Sequence, residues 1–273
     1  MDSFTTLPEE SVSEIISRTS PIDASRFAVI SKGFNSLANS DTVWGRFLPS
    51  DYSQIISKSV YPMLYAAKKE LYLSLCHSPI LLDGGKLSFS LEKRSGKKCY
   101  MVGARELIIS WGHVPEFWEW ISYADSRFSE VAQLNFVWWL DIRGKIKTRM
   151  LSPHTTYGAY LVFKLAETCY GLQSADAVVR FVDVEADNDA EKRAGVVHPQ
   201  QDNGSPCQSG QLPVRRSDGW LEIELGQFCN SQGDDGDAEA RLMEIEVLSG
   251  KSGLIVEGIE FRPKAQFDSL ERL

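Results

Sequence analysis

EVAQLNFVWWLDI, residues 130–142, sets Leu134, Phe136, Trp138 and Leu140 on one side of a two-residue period and Gln133, Asn135, Val137 and Trp139 on the other. That is the period of a β-strand, whose side chains alternate between faces. Further strand-length runs follow in YGAYLVFKL (157–165), AVVRFVDV (177–184), WLEIEL (220–225), RLMEIEVL (241–248) and LIVEGIEF (254–261). Turn material separates many of them, including Arg143-Gly144, Ser217-Asp218-Gly219 and Lys251-Ser252-Gly253. Regular strands without intervening helices predict an all-β jelly roll or sandwich. The polar stretch from Asp187 to Pro213 reads as a mobile loop across one end of it.

Just before this run lies WGHVPEFWEW, residues 111–120, with three of the chain's seven tryptophans. Large aromatics usually sit in a core. Pro115 interrupts the segment and Gly112 and His113 loosen its start, so it does not read as a plain core strand.

Toward the amino terminus the period changes to that of helices. In TLPEESVSEIISR (6–18), Pro8 opens a first turn, Glu9 and Glu10 favour the helix amino terminus, and Val12, Ile15 and Ile16 share a face. SPIDASRFAVIS (20–31) starts on a Ser20/Asp23 cap and carries Ala24, Phe27 and Ala28. SKGFNSLANSDTVWGRFL (31–48) places Phe34, Leu37 and Ala38, then Val43, Trp44 and Phe47 after a Ser40/Asp41 cap. So small a unit cannot bury all its apolar positions, and a partner surface is implied. In YPMLYAAKKELYLSLC (61–76), Leu64, Ala67, Leu71 and Leu75 predict one more helix, and the Gly84-Gly85 turn with Leu87, Phe89 and Leu91 begins the strands.

With 273 residues, 43% of them hydrophobic, there is material for two domains, and a net charge of -8 disfavours nucleic acid and anionic membrane surfaces as partners. The start, MDSFTTLPEE, lacks the features of a secretory signal, and no run has 18 apolar residues. Nucleus and cytoplasm are the expected compartments. Five cysteines (Cys76, Cys99, Cys169, Cys207, Cys229) without a Cys-x-x-Cys pair predict buried free thiols. Neither a metal nor a cofactor is indicated. SGKK (95–98) fails as a phosphate loop because Leu91 replaces the required glycine and Lys98 the Ser or Thr. Lys93, Arg94, Lys97 and Lys98 read as solvated charges on a loop. The scattered histidines form no catalytic motif, so an enzyme is not expected.

Residues 1–48 resemble an F-box through Leu7-Pro8, Ile15, Pro21, Asp23, Ser31, Phe34, Leu37 and Trp44, with departures at Thr19 and Phe34. Residues 97–264 resemble the phloem lectins of the Nictaba type, through ARELIISWGHVPEFWEW, EVAQLNFVWWLDIRGKI, TTYGAYLVFKL, RSDGWLEIELGQF and KSGLIVEGIEFRP. Residues 49–96 form a helical and strand-bearing connector and 265–273 a tail. The resemblance implies a non-catalytic substrate receptor of an SCF-type ubiquitin ligase. Leu7, Pro8, Ile15 and Trp44 would meet the Skp-family adaptor, which leads to the cullin and RING subunits. It also implies a site for N-glycan or GlcNAc-containing carbohydrate on glycoproteins, with Trp111 and Trp118 as aromatic platforms and Asp237 and Glu244 as acceptors. Trp120 is structural or accessory. The alternatives are a receptor reading a protein degron through the same sandwich, and a stand-alone stress lectin.

Overall fold

The computed structural model describes residues 8–182, 192, 194–200 and 210–264. Leu7, the tail 265–273 and much of the expected 187–213 loop therefore lie outside the described residues. Two compact units divide the chain, Met1–Gly84 with Phe89–Cys99 and Gly85–Ser88 with Tyr100–Leu273.

The first unit opens with α1 (Glu9–Ser17), α2 (Pro21–Phe27), α3 (Lys32–Ala38) and α4 (Asp41–Phe47). Serines start three of them. The hydroxyls of Ser20, Ser31 and Ser40 accept from the N–H groups of Asp23, Phe34 and Val43 at 3.1, 3.3 and 3.4 Å. Each such cap contributes about 1 kcal/mol. Pro8 stands one step earlier than expected, as the residue capping α1, and its carbonyl accepts from Ser11 and Val12. Ile16, Ala24, Ala38, Val43 and Trp44 form the centre of the unit.

Two further helices follow, α5 (Tyr52–Ser57) and α6 (Lys68–His77). The sequence pattern extends the latter back to Leu64, yet Leu64 is 93% exposed. Side-chain caps set the later start: Asp41 Oδ1 accepts from the Lys68 N–H at 2.8 Å, and Glu70 accepts from the Ala66 N–H at 2.8 Å. Tyr72 of α6 meets the Trp44 ring at 5.2 Å and donates to the Lys93 carbonyl at 3.0 Å.

The chain then runs through β1 (Ile80–Leu82), β2 (Leu87–Leu91) and β3 (Lys98–Gly103). Lys98 is not a loop charge but a nearly buried strand residue, paired with Asp51 at 2.7 Å. Gly96, in the turn before it, has φ +69° and passes so close to the Phe47 carbonyl and the Tyr72 ring that no Cβ fits.

The second unit is all-β and sandwich-like. Its strands are β4 (Ile108–Ile109), β5 (Trp118–Ile121), β6 (Val131–Leu134), β7 (Leu140–Lys147), β8 (Thr155–Tyr170), β9 (Ala175–Val182), β10 (Gly195–Val197), β11 (Val214–Arg215), β12 (Leu221–Asn230), β13 (Asp237–Glu244) and β14 (Ser252–Pro263). Among the described residues one sheet runs β3-β14-β8-β12-β11, with the β5–β6 hairpin joined to β14, and the other runs β10-β9-β13-β7-β4.

β13 shows how the alternation works. Ala238, Ala240 and Leu242 are fully buried, and the intervening Glu239 and Arg241 are satisfied by ions: Arg180 and Lys145 for Glu239, Asp141 for Arg241. Phe163, Ile223, Ile259 and Phe261 supply core from the other sheet, each about 1.5–3 kcal/mol on burial.

EVAQLNFVWWLDI is not one strand. β6 stops at Leu134 and β7 begins at Leu140, because the Asn135 and Phe136 N–H groups turn to the Phe117 carbonyl (2.9 and 3.4 Å) and Val137 exchanges backbone hydrogen bonds with Lys251. The RLMEIEVL strand likewise starts earlier, at Asp237, and ends at Glu244. Of the described cysteines only Cys99 is buried; Cys76 and Cys169 are half-buried and Cys229 is exposed.

Gly96→Ala is expected to lower the denaturation midpoint of the full chain by an amount worth about 1–3 kcal/mol, from left-handed strain and collision with Phe47 together. Urea unfolding followed by circular dichroism measures it.

Candidate functional site

One end of the sandwich gathers aromatic side chains from two loops, beside the tip that follows β13. Trp111, in the turn after β4, has φ +62°, a conformation uncommon for a bulky residue. Its carbonyl accepts from Val114 at 2.9 Å, and the Trp120 indole N–H donates to the next carbonyl, that of Gly112, at 3.0 Å. The guanidinium of Arg105 stacks 3.9 Å above Trp120 and is forked onto Glu130 at 2.9 Å. The hydrogen bond from Arg105 holds the Glu130 carboxyl below its ordinary range. Trp120 is thus a brace for the Trp111 turn.

This bracing leaves the Trp111 side chain 45% exposed. Phe117 and Trp139 meet it edge-on, at centroid distances of 5.8 and 6.2 Å. The geometry gives an indole fixed on two sides and open to solvent, able to stack on an apolar ring face. Glu116 and His113 are exposed on the same turn.

The second loop, 135–139, carries Phe136 and Trp138, in contact at 5.1 Å and both exposed. The tip after β13 presents Ile245, Val247 and Leu248 to solvent. Between tip and loop sits Lys251, 1% exposed. Its ammonium pairs with Glu244 at 2.5 Å and donates to the carbonyls of Trp138 (3.0 Å), Val247 (2.8 Å) and Ser249 (2.9 Å). The Glu244 carboxylate in turn accepts from the Val247 and Glu246 N–H groups.

The four residues expected at a sugar site are not brought together. Trp111 and Glu244 share an end of one sheet: Glu244 faces Leu140 on β7, and the Ser110 N–H bonds Asp141. Two strand spacings put their backbones about 10 Å apart. Asp237 begins β13 opposite Lys147, seven strand steps or about 23 Å from Glu244. Trp118 is 1% exposed and packs inside the unit. It presents no ring face to a ligand. Glu244 reaches the right end, but its oxygens are engaged with Lys251 and the tip. Sequence reasoning overlooked Phe136, Trp138, Trp139 and Lys251 as site residues, because an unbroken alternation carried no mark of the loop.

A cavity of about 310 Å³ lies elsewhere, lined by Val178, Val179, Val196, Leu225 and Gly226. It shares no residue with the aromatic end. Among the described residues no group of three His, Cys, Asp or Glu side chains could hold a metal ion.

In the helical unit, Pro8, Ile15, Val29 and Ile30 are exposed, with Ile15 at 50%. Trp44 is corrected from a surface to a core residue. It is 1% exposed, and its indole N–H donates to the Ala38 carbonyl at 2.7 Å.

The chain thus combines a helical unit with exposed aliphatic side chains and a β-sandwich with an open aromatic end. Residues 97–263 match the phloem protein 2 family and residues 4–46 the F-box domain. The chain belongs to the phloem protein 2 family and carries an F-box. It is similar to the F-box protein At2g02240 of Arabidopsis thaliana, 45% identical over 95% of this chain and 80% of that one. It is also similar to the F-box protein PP2-B10 of the same plant, 43% identical over 95% and 94%. Both matched families are binding modules; neither is an enzyme family. Among solved structures, a family 35 carbohydrate binding module from Clostridium thermocellum aligns at 12% identity and TM-score 0.34, over 60% of this chain and 96% of that one.

Glu244→Ala removes the carboxylate that compensates the buried Lys251 ammonium. The expected cost is about 3 kcal/mol of stability, read by denaturant unfolding, together with faster amide hydrogen exchange across 245–250.

Proposed function

We propose that this chain is a substrate receptor of an SCF-type ubiquitin ligase, its F-box docking on a Skp-family adaptor and its sandwich binding carbohydrate on glycoproteins. The observation that carries the sugar reading is Trp111, an indole held open to solvent in a left-handed turn by Trp120, Phe117 and Trp139. A pyranose ring has a less polar C–H face and a hydroxyl edge. The first stacks on such an indole and the second seeks acceptors, which the exposed Glu116 and Glu246 supply. N-glycan and GlcNAc-containing chains are the proposed ligand class. Asp237, at the far end of β13, lies outside this site.

The adaptor reading rests on the F-box match and on Pro8, Ile15, Val29 and Ile30, apolar side chains that the unit leaves exposed. Trp44, buried against Phe47 and Tyr72, belongs to the core of the unit and not to that surface. The chain forms or breaks no bond; it raises the local concentration of a bound glycoprotein beside the ubiquitin-loaded enzyme. Nucleus and cytoplasm are the proposed compartments.

Trp111→Ala is expected to weaken binding of chitotriose or an N-glycan core by about tenfold or more, the loss of one stacking contact and its backing. Isothermal titration of the full-length chain reads it. If neither sugar binds the unaltered protein, and captured substrates stay bound after deglycosylation, the sandwich reads a protein degron instead. Ile15→Asp places a charge on the exposed face of α1 and is expected to abolish co-purification of the adaptor while leaving sugar titration unchanged.

A further inference from the structure

The sheet that contains β13 has an outer face whose charges are sorted by depth. On β7 the positions that point away from the core are Asp141, Arg143, Lys145 and Lys147, set opposite Met243, Arg241, Glu239 and Asp237 of β13. Arg180 of β9 lies on the other side of Glu239. The carboxylates at the centre of this lattice are buried and the cations around them are open to solvent. Glu239 is 2% exposed and is shared by Lys145 at 3.3 Å and Arg180 at 2.7 Å, whose side chains are 40% and 25% exposed. One carboxylate offsets one of those two cations. Asp141, also buried, takes Arg143 and Arg241 together. Lys147 is exposed at the next outward position of β7, and Arg149 is exposed in the turn that follows. Asp237, half-buried opposite Lys147, and Asp176, half-buried opposite Met243, are the remaining outward carboxylates of these three strands. A chain of net charge -8 therefore presents cations on this face.

The spacing of these groups is that of a strand. Lys145 and Lys147 are two residues apart on β7, about 7 Å, and Arg180 stands two strand spacings from Lys145, about 10 Å. An extended peptide repeats its side chains on one face at the same interval of about 7 Å. The uncharged outward neighbours are aliphatic: Ile108, 53% exposed beside Arg143, with Val178, Val182 and Met243. None of them offers a ring on which a nucleobase could stack, and the charge of the whole chain repels a phosphate backbone. Aliphatic contacts between cations suit a peptide.

We propose that the outer face of this sheet docks an acidic, extended peptide segment of another protein, with carboxylates at alternate residues set against Lys145 and Lys147 and a further one within reach of Arg180. This goes beyond the sugar reading and uses no side chain of the aromatic end.

The test is fluorescence anisotropy of the full-length chain with two labelled peptides of one composition. In the first, glutamate and threonine alternate; in the second, the glutamates form a single block. A single-stranded RNA of equal charge is the third probe. The alternating peptide is expected to bind saturably at low ionic strength and to weaken as salt is added. Lys145→Ala combined with Lys147→Ala should lower its affinity about fivefold or more, and Lys145→Arg combined with Lys147→Arg should retain it. Both lysines are exposed and Arg180 remains on Glu239, so the variants keep their fold, which circular dichroism confirms. Failure of the unaltered chain to bind the alternating peptide, or binding that survives the double alanine substitution, overturns the proposal. Equal binding of the block peptide or of the RNA also overturns it, since that is attraction to any polyanion without the strand spacing. Chitotriose titration of the same variants reads the sugar site separately, so either reading can fail while the other stands.

Discussion

The aromatic end of the sandwich depends on one ammonium group. Lys251 is as buried as the core phenylalanines, and a cation there loses the hydration that stabilises it in water, a cost of several kcal/mol. Only convergent acceptors can offset that, and four converge: the Glu244 carboxylate and the carbonyls of Trp138, Val247 and Ser249. Each acceptor belongs to a segment that is neither helix nor strand, or to the last residue of a strand. The ion thereby replaces the ladder that would otherwise fix these backbones, and the exposed aromatics inherit its rigidity.

Elsewhere the sandwich turns charge inward on itself. Arg216 and Arg262 bridge Glu222 and Glu260 across the strands. Burial alone would raise the Glu222 carboxyl, but the two guanidinium groups outweigh it and hold it below its ordinary value. Asp141 is held low in the same way: burial opposes, and Arg143 and Arg241 prevail. These pairs neutralise parts of the outer sheet surfaces. The helical unit follows a different logic, with Trp44 and Tyr72 at its centre and too few residues to cover Ile15, Val29 and Ile30.

Much of this was legible in the residues. Serine caps, the spacing of Val12 and Ile16, and the alternation in 157–165 and 254–261 all correspond to elements the chain forms, because each is a short-range effect. The errors have a common origin. Leu64 continues a helical period, but Asp41, far back in the sequence, caps Lys68 and starts the helix there. Residues 130–142 alternate without a break, but Lys251, more than a hundred positions later, competes for the backbone of Val137 and Trp138.

The candidate site divides along the same line. The sequence by itself determined a small helical unit before an all-β domain, the clustering of tryptophans at 111–120 and 138–139, and a field hostile to phosphate and anionic lipid, since these follow from period, composition and net charge. Tertiary structure alone decided which tryptophans face solvent. Trp44 and Trp118 became core, Trp111 and Trp138 stayed open, and Asp237 and Glu244 came to lie at opposite ends of one strand. Exposure depends on what packs from distant parts of the chain, and a residue's neighbours in sequence do not carry that information.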